Sequence, residues 1–121
     1  MKTCCLAWEI PVIEGEHNNP IINVVNMQKA KKFLNQLNQY FQNENIDWKC
    51  VLDHSACNYN EIFSGENQAV IFAPEARTRQ WLYKKEIQAV NIPKYYLDFA
   101  EYNEVKLDKI ADFFMNLKNN E

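Results

Sequence analysis

The sequence predicts an α/β domain, a three-layer sandwich around a small, mainly parallel sheet of four strands. Short apolar runs alternate along the chain with stretches of helical period, the pattern of βαβ units joined by right-handed crossovers. One run, Ala69-Val70-Ile71-Phe72-Ala73, is apolar without interruption, as expected of a parallel strand covered on both faces. The 121 residues, 47% of them apolar, are enough for one core without metal or disulfide staples, so a single domain over residues 1–121 is expected.

The elements follow in order. Cys4 to Trp8 predicts a first strand, bounded by Glu9 and Pro11. From about Ile10 to Asn26, Pro11, Gly15, Pro20 and the asparagines leave no regular period, and a long loop is expected; such loops in compact domains are often functional. Met27, Ala30, Leu34, Leu37 and Phe41 recur at spacings of three and four, which predicts a helix with Asn26 as its N-cap. Trp48 to Leu52 reads as a second strand that stops at Asp53-His54-Ser55, followed by a short helix through Tyr59, Ile62 and Phe63 that ends at Ser64-Gly65.

Pro74 ends the third strand and opens a helix expected to run to Lys84-Lys85, with Glu75 in its first turn. Ile87 to Ile92 reads as a fourth strand closed by Pro93, which leaves Lys94-Tyr95-Tyr96 in a loop. Leu107, Ile110, Ala111, Phe114 and Leu117 share one face of a final helix from Asn103 to Lys118.

Several function classes are excluded by composition. The net charge is -3 and the basic residues are scattered, so nucleic acid is not an expected partner. No apolar run approaches the roughly 20 residues of a membrane span, and the N-terminus lacks a secretory h-region, so a cytoplasmic protein is expected. Cys4, Cys5, Cys50 and Cys57 read as small buried thiols, not a disulfide framework. Gly15 and Gly65 are the only glycines, which excludes both the G-x-G-x-x-G fingerprint and the Walker A loop, and no cofactor is implied. His54 and Cys57 have the spacing of half a zinc site with no second half, so no metal is expected.

In parallel α/β sheets ligands collect outside the carboxyl ends of the strands. The loops expected there supply the candidate ligand-binding residues Glu9, His54, Ser55, Glu75, Arg77 and Arg79. Arg77 and Arg79 beside a helix N-terminus suit an anionic or phosphorylated group. His54 reads as a proton shuttle or phosphate acceptor at the strand end, and Glu9 and Glu14 stand where they gate access. Asp53-His54-Ser55 is no catalytic triad, because neighbours in an extended segment point to alternate faces. His17 reads as an exposed bystander in the long loop.

From Gln68 to Leu117 the chain resembles the IIB components of bacterial sugar phosphotransferase systems of the lactose and cellobiose type. The features that carry the resemblance are a strand ending in an Ala-Pro step (Ala69 to Glu75), a helix, Ala89-Val90-Asn91-Ile92, a tyrosine-containing segment Tyr95-Tyr96-Leu97-Asp98 and a final amphipathic helix. The resemblance implies a four-stranded parallel sheet and a role in phosphotransfer or its regulation. The family's phosphorylated cysteine closes the first strand, where this chain has Ala7-Trp8-Glu9, so an inactive or repurposed relative is expected.

The leading functional reading is therefore a IIB-like regulatory or binding domain that holds a small anion or a phosphorylated partner at the carboxyl edge. Two other readings stand beside it: a small metabolic enzyme using His54 with Asp53 or Glu75 for acid-base chemistry, and a structural interaction module that forms a homodimer through its aromatics.

Overall fold

The computed structural model describes residues 2–9, 20–54, 59–63, 67–77 and 80–119. The elements in chain order are β1 (Lys2–Ala7), α1 (Pro20–Asn43), β2 (Trp48–Leu52), α2 (Tyr59–Ile62), β3 (Ala69–Phe72), α3 (Pro74–Arg77), a 3-10 turn (Gln80–Tyr83), α4 (Lys84–Gln88), β4 (Lys94–Tyr96), α5 (Phe99–Asn103) and α6 (Asp108–Asn119). The four strands form one all-parallel sheet in the order β2-β1-β3-β4.

Side-chain alternation divides the core in two. Cys4 and Leu6 of β1 and Trp8 just after it, with Trp48, Cys50, Ile71 and Leu97, pack against Phe33, Leu37 and Phe41 of α1 and Ile110 and Phe114 of α6. Cys5, Ala7, Val70 and Phe72 face the other way, onto Tyr59 and Ile62 of α2 and Ile87 of α4. The result is the three-layer arrangement expected from alternating strands and helices. Ring contacts fasten the first layer: Phe114 meets Phe41 edge-on at 5.2 Å between centroids and Trp48 in a tilted arrangement at 4.8 Å.

Four boundaries differ from those predicted. Helix α1 begins at Pro20, so 20–26 is helical and not part of a loop, and Asn26 is a buried mid-helix residue instead of an N-cap. Proline suits the first helical position because its fixed φ fits and its absent N–H is not missed. The buried stripe runs through Ala30, Phe33, Leu37 and Phe41, with Met27 and Leu34 flanking it.

The helix expected from Pro74 to Lys85 is broken into α3, the 3-10 turn and α4. The fourth strand is Lys94–Tyr96, after Pro93 and not before it: Ile87 lies in α4, and the tyrosines assigned to a loop form the strand itself. Lys94 Nζ donates to the carbonyls of Val90 (2.6 Å) and Ile92 (3.2 Å) and ties together the turn that enters the strand.

The final helix is also two, α5 and α6, separated at Val105, which adopts φ 51°. The Asp98 carboxylate accepts from Glu101 N–H at 2.7 Å while Glu101 Oε1 accepts from Asp98 N–H at 3.3 Å, a reciprocal capping box that starts α5 directly after β4.

Candidate functional site

The carboxyl ends of the four strands present Trp8-Glu9, Asp53-His54, Ala73-Pro74-Glu75 and Leu97-Asp98 along one edge of the sheet. The strand order reverses direction between β1 and β3, the place where doubly wound sheets open a crevice. Among the described residues, the six predicted ligand-binding positions are represented by Glu9, His54, Glu75 and Arg77; Ser55 and Arg79 lie outside the described residues, as do Glu14, His17 and Cys57.

Glu9, Asp53 and His54 form the first station. The Trp8 indole Nε1 donates to the Asp53 carbonyl at 2.8 Å in a buried hydrogen bond, and Asp53 N–H donates to Leu6 O at 3.0 Å, so the ends of β1 and β2 are locked together. Asp53 continues the strand alternation of Val51 onto the α2 face and is buried. Its charge is felt nearby. Burial, then the Asp53 carboxylate, pushes the Glu9 carboxyl above its ordinary range, while His54 acts in the opposite direction. Burial and Asp53 also push the Cys5 thiol up to about 12. His54 itself is exposed, not packed into the core.

Glu75 belongs to a second station, turned toward the α1 layer. It pairs with Lys29 at 3.7 Å, and its charge, after burial, raises the hydroxyl of Tyr102 on α5. Lys29 carried no signal in the sequence, because a lysine on a helix face is usually a solvated charge.

Arg77 makes the third station. Its Nη1 donates to the Leu97 carbonyl at 3.2 Å, and its guanidinium carbon lies 5.3 Å from the centre of the Tyr96 ring, which itself stacks on Phe72 at 4.9 Å and 11°. The side chain is exposed and forms no ion pair among the described residues. Arg77 was expected to flank the start of a long helix at Pro74. That helix is a single turn, so what positions Arg77 is the end of β4, through Tyr96 and Leu97. Neither partner is signalled by the sequence, in which Lys94-Tyr95-Tyr96 reads as a loop.

The described cysteines are unsuited to nucleophilic work. Cys4, Cys5 and Cys50 are buried and reduced, and Cys50 is pushed well up by burial and by its hydrogen bond with Cys4. Among the described residues no group of three or more His, Cys, Asp or Glu side chains is arranged to hold a metal ion, and no helix is long and apolar enough to cross a membrane.

Compared with protein-family models, with curated proteins and with solved structures, the chain matches none.

Proposed function

We propose that this chain is a IIB-like binding or regulatory domain, and that it takes an anionic group, a small anion or a phosphorylated side chain of a partner protein, at the carboxyl ends of β3 and β4. Arg77 is the residue that holds it. The observation that carries this reading is that Arg77 is fixed in direction by Leu97 O and Tyr96 yet remains exposed and without a carboxylate partner among the described residues. A guanidinium with one N–H committed keeps a fork of donors for a bidentate oxyanion. Burial of Cys4, Cys5 and Cys50 favours binding over transfer through any of these thiols.

Thermal unfolding with and without inorganic phosphate or a phosphoserine peptide tests the reading. Protection that disappears in Arg77→Ala supports it; identical protection in that variant, or none with either anion, overturns it.

A second reading is favoured by one observation, the raised Glu9 carboxyl beside Asp53 and the exposed His54. A carboxyl whose proton affinity is raised by burial and a neighbouring acid, next to an exposed imidazole, suits acid-base chemistry on a small metabolite. A pH-dependent activity that survives Arg77→Ala and is lost in both Glu9→Gln and His54→Ala would establish that reading over the first.

A further inference from the structure

We infer that the outer edge of β4 docks an extended acidic segment of a partner protein, which adds a fifth strand to the sheet. Pro93 O accepts from Val70 N–H at 3.0 Å and Leu97 N–H donates to Phe72 O at 3.0 Å, so the odd-numbered residues address β3. Lys94 and Tyr96 therefore address the outside, and among the described residues their N–H and C=O groups have no hydrogen-bond partner.

The opposite edge is treated differently. In β2 the outward residue Cys50 has both main-chain groups taken by the side-chain amide of Asn38, at 2.8 and 2.9 Å. The β2 edge is closed at its centre by a side chain that imitates a neighbouring strand, whereas no side chain does this for β4 among the described residues.

Beside the open edge lies a groove of about 190 Å³ lined by Gln80, Trp81, Lys84, Ile87, Gln88 and Tyr96. Trp81 is 68% exposed and Tyr96 40%, so the groove offers two aromatic surfaces to side chains that alternate along an added strand.

Charge selects the occupant. Lys84 lines the groove, Arg77 lies over the Tyr96 ring, and no carboxylate lines the groove, in a chain whose net charge is -3. A second copy related by a twofold axis would bring this cationic patch against its own equivalent, whereas an acidic strand with apolar residues at alternate positions meets both features. The inference goes beyond the anion site: it rests on the strand edge and on Lys84, with Arg77 contributing only charge.

The probe is a blocked synthetic peptide of alternating glutamate and valine with one central phenylalanine, titrated into the full chain by calorimetry and amide hydrogen exchange. Saturation should slow exchange of the Lys94 and Tyr96 amides about tenfold or more and leave β2 unchanged. Lys84→Glu, at an exposed helical position, should weaken binding about tenfold. Tyr96→Pro, which deletes an outward N–H, should abolish binding. The inference is overturned by unchanged exchange at Lys94 and Tyr96, by no binding at about 1 mM peptide, by equal binding of a lysine-for-glutamate peptide, or by a dimer in sedimentation that protects these amides without peptide. Phosphate protection lost in Arg77→Ala but retained in Lys84→Glu separates the fate of the anion site from that of the strand edge.

Discussion

Asn38 binds Cys50 through both ends of its amide: Nδ2 donates to the Cys50 carbonyl at 2.9 Å, and Oδ1 accepts from the Cys50 N–H at 2.8 Å. The helix α1 thus closes the centre of the β2 edge with the same donor and acceptor pair a neighbouring strand would present. Asn38→Ala removes both partners from a largely buried peptide and should cost about 1–3 kcal/mol, measured by urea denaturation. Asn38→Asp keeps the acceptor but places a carboxylate against the Cys50 carbonyl, and should be at least as harmful at neutral pH and milder in acid.

Glu9 is destabilising in its ionised form. Its folded-state pKa lies above the ordinary 4.5, chiefly through burial and then Asp53. Below pH 4.5 it is protonated whether the chain is folded or unfolded; as pH rises above that value, the unfolded chain releases its proton first and stability falls. Glu9→Gln should therefore raise the melting temperature at pH 7 and leave it unchanged near pH 4. A variant that melts lower at pH 7 would mean that Glu9 is held as a stabilised carboxylate.

The Cys5 thiol, at about 12 against an ordinary 9.0, is almost wholly protonated at pH 8, and Cys4 and Cys50 are buried beside it. A disulfide reagent should leave all three unmodified in the native protein and label them only at the rate of unfolding, so that low urea accelerates labelling in step with lost stability. Rapid labelling of any of the three at pH 8 contradicts this.

The layers of this fold were legible because burial writes itself into composition. Ala69–Phe72 is apolar on both faces since helices cover both, and the stripe of Ala30, Leu37 and Phe41 has a single period since one face of α1 is covered. What was missed lies where that relation fails. At the start of α1, Ile21, Ile22, Val24 and Val25 are 46–77% exposed, so they carry no helical period and their β-branching argues for strand.

Pro93 was legible as a breaker but not for its direction: it ends one element or begins the next with equal ease. In the candidate site, Glu9, His54, Glu75 and Arg77 were legible as polar residues near strand ends. Their separation into three stations was not, because it depends on Lys29, Tyr96 and Leu97 O, reached across the fold.

Tyr95 and Glu101 join the middle of β4 to α5. The Tyr95 hydroxyl donates to Glu101 Oε2 at 2.5 Å, and Glu101 is buried and already engaged in the capping box with Asp98. Tyr95→Phe takes away a hydrogen bond to a carboxylate and should cost about 1.5–3 kcal/mol. Burial, then Glu101, raises the Tyr95 hydroxyl above its ordinary 10.0. Above pH 10 the unfolded chain loses this proton first, so stability should fall with pH in the native protein and less steeply in Tyr95→Phe. Equal slopes for the two proteins, read from urea midpoints, would remove Tyr95 from the account.

Two helices of this protein end in the same way on different residues. After α1, Asn45 takes φ 55° while Ile46 N–H donates to Phe41 O at 2.8 Å and Asn45 N–H to Gln42 O at 3.3 Å, the paired bonds of a Schellman end. After α5, Lys106 N–H donates to Glu101 O at 2.9 Å and Val105 takes φ 51°. Asparagine tolerates the left-handed region, whereas a β-branched residue there is strained by about 1–3 kcal/mol. Val105 is partly buried against the main core, which offsets some of that strain. Val105→Gly relieves the backbone at the cost of this contact, and Val105→Ala loses the contact while keeping most of the strain. The expected order of stability is therefore Val105→Gly above Val105→Ala by about 1 kcal/mol, the reverse of the usual preference for alanine near a helix. Alanine above glycine in thermal unfolding would place residue 105 outside the left-handed region and return 103–118 to the single continuous helix that the sequence predicts.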